Sequence, residues 1–423
     1  MTNEPERMKS DPIEATIVPS SKGFDLVGHT DLGGRGHSDQ VMVQNGYAYI
    51  GHSKTRGVSV VDVRDPRRPR ATTLLPHHPN SWAIHLQAHD GLLLVAEALD
   101  FRAVMTDQEY YLRAVGGMKS ERFGVRGRDF SAGMRVYDIS HPGEPREIGF
   151  MATEGLGIHR IWWVGGRYAY ASALLDGFTD YILVIIDLVD PARPLIVGRW
   201  WLPGMWVAGG ESNPPGGRVG LHHAVVEDDM AYGCWRDGGV TLIDVRDKSA
   251  PRLVAHRQWS PPFDGGTHSA LPLADRGLLI VADEAVRGYP HEQRKPIWVF
   301  DIRVPANPVS IATFPLPQDQ DYAAIGGNFG PHNLHENRPG SFRSSSTVFA
   351  TYQSAGLRVY DLTDPFQPRE TGWFVPPTPE RWMEPLRGRA KVLHSSDLFV
   401  DAAGLCYLTD YDAGLYIVQW TGA

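Results

Sequence analysis

Cysteine is almost missing from this chain: Cys234 and Cys406 are the only two among 423 residues. Two thiols cannot build a disulfide framework or a multi-thiolate zinc site. Positive charge is also in deficit, with 41 Lys and Arg against 49 Asp and Glu, a net charge of −8. Such a chain has no basic surplus to neutralise a phosphate backbone, so nucleic acid is excluded as an expected partner. No hydrophobic run approaches a membrane span, and the first dozen residues hold no apolar stretch of the signal-peptide kind. The expectation is a soluble, cytoplasmic protein with no membrane partner. Phosphate-binding and nucleophile motifs are lacking too: there is no P-loop and no G-x-S-x-G elbow. The glycines of 209–217 have no strand-and-helix context and read as a flexible loop, not a dinucleotide fingerprint. Both cysteines fall in expected strands as small core residues.

What the chain has in quantity is punctuation, 45 glycines and 32 prolines, and these mark a repeat. A β-branched tetrad, an aspartate, an aliphatic residue and a proline-containing turn recur together. The copies begin Val58-Ser-Val-Val-Asp62, Met134-Arg-Val-Tyr-Asp138, Leu183-Val-Ile-Ile-Asp187, Val240-Thr-Leu-Ile-Asp244, Ile297-Trp-Val-Phe-Asp301 and Leu357-Arg-Val-Tyr-Asp361. A degenerate seventh, Leu415-Tyr-Ile-Val-Gln419, closes the chain. The tetrad reads as a strand, the Asp-Pro as a turn, and the residues after it, such as Arg146-Glu-Ile-Gly-Phe-Met, as another strand. A further strand pair precedes each copy, such as Gln40-Val-Met-Val and Tyr47-Ala-Tyr-Ile.

Four strands per unit and seven units predict an all-β fold, a seven-bladed β-propeller. A β-sandwich pair or an open solenoid is the competing arrangement, but an open array leaves exposed sheet edges. The seventh unit stops after three strands, while an orphan strand at Phe24-Asp-Leu-Val-Gly-His precedes the first. That orphan is expected to complete the last unit and close the ring. The chain divides into an N-terminal tail, 1–23, and one propeller domain, 24–423. The tetrad-plus-aspartate signature resembles that of the LVIVD-repeat proteins, over all but the tail. The resemblance implies a propeller and leaves activity open, because propellers host enzymes, binding modules and scaffolds alike.

The second unit is overlong. An insertion at about 99–133 includes a capping-box pattern, Thr106-Asp-Gln-Glu109, followed by apolar residues at helical spacing. It is expected to be partly helical and to serve as a lid or as a homodimer contact. The loop 286–296, with Arg287, Glu292, Gln293, Arg294 and Lys295, reads as solvated.

Seventeen histidines stand out, and every unit places at least one just before or within its first strand. These are His37, His85, His159, His222 with His223, His268, His332 with His335, and His394. First strands of a propeller line its channel, so these imidazoles should converge near the axis. Such a cluster suits a transition metal, iron, copper, manganese or zinc. The preferred ligands are His37, His268, His332 and His394, each opening a strand after a Gly- or loop-like segment. His222 and His335 are second choices. Glu97 and Asp283, at the ends of second strands beside others such as Glu284, together with His159 and His223, are the expected acid–base residues. His85 reads as a packing residue, and His52, His77, His78, His89, His141, His256 and His291 as surface. The competing reading makes all of them hydrogen-bonding residues of a narrow polar channel. The expected function is metal-dependent conversion of a small, partly apolar substrate, of lyase, hydratase or isomerase type. An oxygenase and a non-catalytic interaction scaffold are the alternatives.

Overall fold

The recurring tetrad is the third strand of a four-stranded antiparallel unit, and the unit is repeated around a ring. A computed structural model describes residues 17–101, 129–212, 214, 217–287, 292–383 and 391–422. Unit one runs through Ser38–Gln44, Tyr47–His52, Gly57–Asp62 and Arg70–Pro76, and unit two through Ser81–His89, Leu92–Leu99, Gly133–Asp138 and Arg146–Ala152. Unit three comprises Gly157–Trp162, Tyr168–Leu174, Ile182–Asp187 and Leu195–Trp200; unit four comprises Val219–Glu227, Met230–Arg236, Val240–Asp244 and Arg252–Arg257. Unit five is Thr267–Leu273, Leu278–Asp283, Ile297–Asp301 and Val309–Thr313; unit six is Pro331–Leu334, Thr347–Tyr352, Gly356–Asp361 and Arg369–Val375. The last unit joins Ser395–Val400, Leu405–Asp410 and Gly414–Trp420 to the early strand Phe24–Thr30, which pairs along Gly414–Trp420. The orphan strand therefore does complete the final sheet. A second early strand, Ser20–Lys22 in the expected tail, adds a fifth strand to unit six by pairing with Trp373–Val375.

Each first strand lies against the first strand of the next unit, and that of unit seven lies against that of unit one. The sheets thus form a closed β-propeller. Residues 102–128, which hold the expected helix of the insertion, lie outside the described residues. Among the described residues, no helix is long and apolar enough to cross a membrane.

The repeat residues have a shared local purpose. The carboxylate of the tetrad aspartate accepts a backbone N–H two residues on, as in Asp138 from Ser140 (2.8 Å), Asp187 from Val189 (2.9 Å), Asp301 from Arg303 (2.9 Å) and Asp361 from Thr363 (2.8 Å). The Asp of the Asp-Pro turn does the same, Asp65 from Arg67 (3.1 Å) and Asp364 from Phe366 (3.0 Å). These Asx turns hold the hairpin tip. The tip then docks on the preceding unit's outer strand at a glycine. A Cβ on Gly198 would lie 1.8 Å from the Lys248 carbonyl, and one on Gly28 would lie 2.1 Å from that of Pro66. Glycine is required there because two backbones meet, and this explains the Gly in Arg146-Glu-Ile-Gly.

The apolar tetrad residues, such as Val60, Val184, Ile243 and Val299, are buried between units. Cys234 and Cys406 are buried and free, as expected of core residues. Two surface assignments are corrected. His52 and His77 are enclosed, the first bonded to Ser59 Oγ (2.8 Å) and the second set against Glu97. The loop 286–296 is not a simple solvated excursion either, since Lys295 and Glu292 are buried as a pair 3.4 Å apart.

Candidate metal centre

Every first strand is irregular near its start, and in units two to six the slip falls at the histidine. Pairing with the second strand slips between Ser38 and Val41, Trp82 and His85, Ile158 and Arg160, Val219 and His223, Thr267 and Ser269, Pro331 and Leu334, and Ser395 and Leu398. A bulge cancels strict alternation, so neighbouring residues both turn toward the axis. His159 with Arg160, and His332 with Asn333, reach one cavity in this way.

The histidines then divide into two kinds. Some clamp one unit to the next. His85 Nδ1 accepts the Ile161 N–H (3.1 Å), and His335 Nδ1 accepts that of Val400 (3.3 Å). Gln40 and Asp397 occupy the same role in their units, accepting from Leu86 (2.6 Å) and Val41 (3.0 Å). The other ring nitrogen of His335 donates to the Phe342 carbonyl (2.9 Å), so neither nitrogen faces the cavity.

A second group meets at the upper end of the channel, where the first strands begin. His222, His268 and Glu284 bring one ligand atom each within 4.8 Å of one another. His268 Nε2 lies 3.5 Å from Glu284 Oε2, and His332 Nε2 lies 3.6 Å from Glu284 Oε1. The rings of His222 and His268 stack at 3.7 Å, those of His268 and His332 approach to 4.5 Å, and His159 stands edge-on to His222 at 4.7 Å. The cavity between them measures about 40 Å³ and is also lined by Asp39, Arg160, Arg236 and Ser396.

The hydrogen bonds fix which nitrogens carry lone pairs. His222 Nδ1 donates to the His268 carbonyl (2.8 Å) and His332 Nδ1 to the Ser396 carbonyl (2.5 Å). A carbonyl only accepts, so each Nδ1 is protonated and each Nε2 is left as an acceptor. Arg160 Nη2 donates to His268 Nε2 (3.4 Å), leaving that atom an acceptor too. Burial pushes the pKa of all three imidazoles down; that of His332 falls to about 4, although Glu284 works against it. Arg236 beside His222, and His332 and Arg160 beside His268, lower those two further. His222 and His332, neutral and with outer nitrogens held by backbone carbonyls, are in the state a metal ligand needs; the outer nitrogen of His268 has no hydrogen-bond partner among the described residues.

The other expected residues go elsewhere. His37 lies 3.7 Å from Asp412 and stacks on Tyr411 at 5.1 Å, while His394 stacks on the opposite side of the same ring at 4.0 Å. Neither lines the cavity, although His394 comes within 6.3 Å of His332, ring to ring. Glu97 is enclosed by His77, Arg135 and Ser131; His77 and Arg135 pull its pKa to about 2 against its burial. Asp283 accepts from Trp259, Trp298 (both 2.8 Å) and Thr267 (2.9 Å), and burial raises its pKa to about 6. It faces away from the cavity, and its neighbour Glu284 faces in. His223 sits lower in the channel, bonded to Glu336 Oε1 (2.8 Å).

At that lower end a loop of unit six folds under the channel. Arg338 donates to Glu336 (2.9 Å) and to the Trp163 carbonyl (3.2 Å), and its guanidinium lies 4.4 Å from the Trp162 ring centre. Beyond it opens a groove of about 600 Å³ lined by Val43, Trp163, Phe399 and Tyr407. It is the larger hollow, but the ligand atoms do not converge there.

Residues 35–71 match the LVIVD repeat family model. No curated protein matches the chain by sequence. Solved structures of similar fold include the periplasmic gluconolactonase of Pseudomonas aeruginosa, at TM-score 0.52 and 11% identity over 93% of this chain and 98% of that one. A chain of a mitotic checkpoint complex aligns at TM-score 0.53 and 9% identity, covering 98% of both. A Lactobacillus plantarum protein aligns at TM-score 0.51 and 9% identity over 90% of this chain and 94% of that one. Identities this low speak for the fold alone. The chain therefore carries an LVIVD repeat at residues 35–71, and its antiparallel sheets close into a β-propeller.

Proposed function

We propose that this protein is a metal-dependent enzyme on a seven-bladed propeller, with His222, His268, His332 and Glu284 holding a transition metal at the head of the channel. The observation carrying this reading is the meeting of three neutral imidazoles, their Nε2 lone pairs turned to one carboxylate. Three nitrogens and one oxygen suit zinc, manganese, iron or copper. The bound metal would supply Lewis acidity for hydration, elimination or isomerisation of a small substrate. His159, edge-on to His222 and lining the same cavity, is placed to move a proton at the substrate. Arg236, paired with Glu284, fixes that carboxylate's orientation. A gluconolactonase shares the fold, so enzymatic use of this architecture has a precedent.

Metal analysis by inductively coupled plasma mass spectrometry tests the proposal on protein purified without chelators and then offered each metal. About one equivalent is expected. Alanine at His222, His268, His332 or Glu284 should cut the metal content at least about tenfold without loss of the β-sheet circular dichroism. Alanine at His37 or His394 should leave it unchanged. Retention of metal by both the His268 and His332 variants would refute the assignment.

A further inference from the structure

Arg160 is a buried cation with no carboxylate partner among the described residues. It is 8% exposed and lines the small cavity, and its described hydrogen bond from the guanidinium goes to His268 Nε2, a neutral acceptor. The other buried arginines behave differently. Arg218 pairs with Asp180 (2.8 Å), Arg358 with Asp319 (2.6 Å), Arg236 with Glu284 and Arg338 with Glu336. A desolvated guanidinium is costly unless an anion compensates it. The acidic groups whose charge acts on Arg160, namely Asp397, Glu336 and Glu284, do so without an ion pair to it. A second group points the same way: the Ser396 hydroxyl lines the cavity, is buried, and has no hydrogen-bond partner among the described residues.

We infer that Arg160, with Ser396 in the wall of the same cavity, binds the carboxylate of the substrate, which makes the substrate class small carboxylic acids. The planar fork of a guanidinium matches a carboxylate in two parallel hydrogen bonds, and a serine hydroxyl adds a third donor. The cavity volume of about 40 Å³ is close to that of one or two waters, so it takes a carboxylate group while the remainder of the molecule extends from the mouth. Asp39 and Glu284 also line the cavity. The charge of Glu284 is offset by Arg236 and, on the reading above, by the metal, which is where this inference rests on that one. Arg160 would then serve two states. Without metal it donates to His268 Nε2; with that lone pair taken by the metal, its fork is released to the incoming anion.

The test reads anion binding separately from metal content. Acetate is titrated into the full-length protein by calorimetry at constant ionic strength, with chloride and acetamide as controls for charge and shape. Metal is measured on the same samples, before and after dialysis against chelator. Saturable acetate binding that neither control reproduces is expected. Arg160→Gln should weaken it by about tenfold or more. Arg160→Lys should weaken it less, because the charge remains while the fork is lost. Ser396→Ala should show the smallest loss, and none of the three should release metal. Acetate binding no better than chloride in the unaltered protein would overturn the inference, as would an Arg160→Lys or Arg160→Gln protein within about twofold of it. Acetate binding in a protein that never holds metal would sink the metal centre and leave the carboxylate site standing. A metal-loaded protein blind to acetate would do the reverse.

Discussion

The upper and lower ends of one channel are built from the same repeated histidine, yet their chemistry differs. At the top, His222, His268 and His332 spend one nitrogen on a backbone carbonyl or leave it unbonded, and turn the other toward Glu284. At the bottom, His85 and His335 spend a nitrogen clamping the next unit, and His223 is closed off by Glu336. Repeat ancestry accounts for the residue; the partner decides its use. Where the partner is a carbonyl behind the ring, a lone pair is left over for a ligand. Where the partner is an amide of the adjoining strand, the lone pair is used by the clamp; where it is a carboxylate, as at His223, the nitrogen facing it is an N–H and not a lone pair.

The comparison can be broken most directly by metal content. Alanine at His85 or His223 should leave the metal of the upper level in place, in contrast to the large losses expected at His222, His268 and His332; equal losses at both levels would erase the distinction. Stability should respond the other way round. Arg338→Ala leaves Glu336 as a buried charge without its cation and should cost about 3–5 kcal/mol in denaturant unfolding while metal stays bound. Burial opposes ionisation of Glu336, but Arg338 and His223 hold its pKa well below the usual carboxylate range, so the lost partner is felt in full.

A perturbation outside the channel supplies the reference. Gly198→Ala forces a methyl against the Lys248 carbonyl and should cost about 1–3 kcal/mol without affecting metal or acetate. The smallest effect is in the pH dependence. Burial lowers the pKa of His335 to about 4 from 6.5. Its neutral form therefore stabilises the fold above pH 6.5, and that contribution is lost as pH falls toward 4. Replacing His335 with Gln should flatten the stability curve over this window, by about 1–2 kcal/mol at pH 5. An unchanged slope in urea titrations at pH 7 and 5 would show that this clamp carries no proton-linked stability.

The fold was largely legible because its determinants are local. The Asp62-type carboxylates, the Asp-Pro turns and the glycine of the outer strand act within a few residues of their own position or on the adjoining hairpin. Phe24–Thr30 could be assigned to the last sheet because unit seven lacked a strand. The site was legible only in part. His268 and His332 are visible as strand-opening histidines. Glu284 was named beside Asp283, and only the folded cavity shows that Glu284 is the one facing inward. Arg160 left no signal, since period two places it opposite His159 and the slip at Ile158 brings both to the axis. Equivalent glutamine and tyrosine positions, Gln353 and Tyr411, hint at the inward register of second-strand ends: Gln353 reaches within 3.5 Å of Glu284, and Tyr411 stands between His37 and His394. His37 follows the same sequence rule as His268, but Asp412 and Tyr411 hold it away from the cavity, and nothing in its own neighbourhood reveals that.

The seam between Phe24–Thr30 and Gly414–Trp420 has a temporal meaning. These partners are separated by nearly the full length of the polypeptide, so the earliest strand of the ring waits for the latest. The small cavity is walled by residues from unit one through unit seven, and it does not exist as an enclosure until that seam is zipped. Any binding that depends on this enclosure therefore requires the last strand of the ring to be in place.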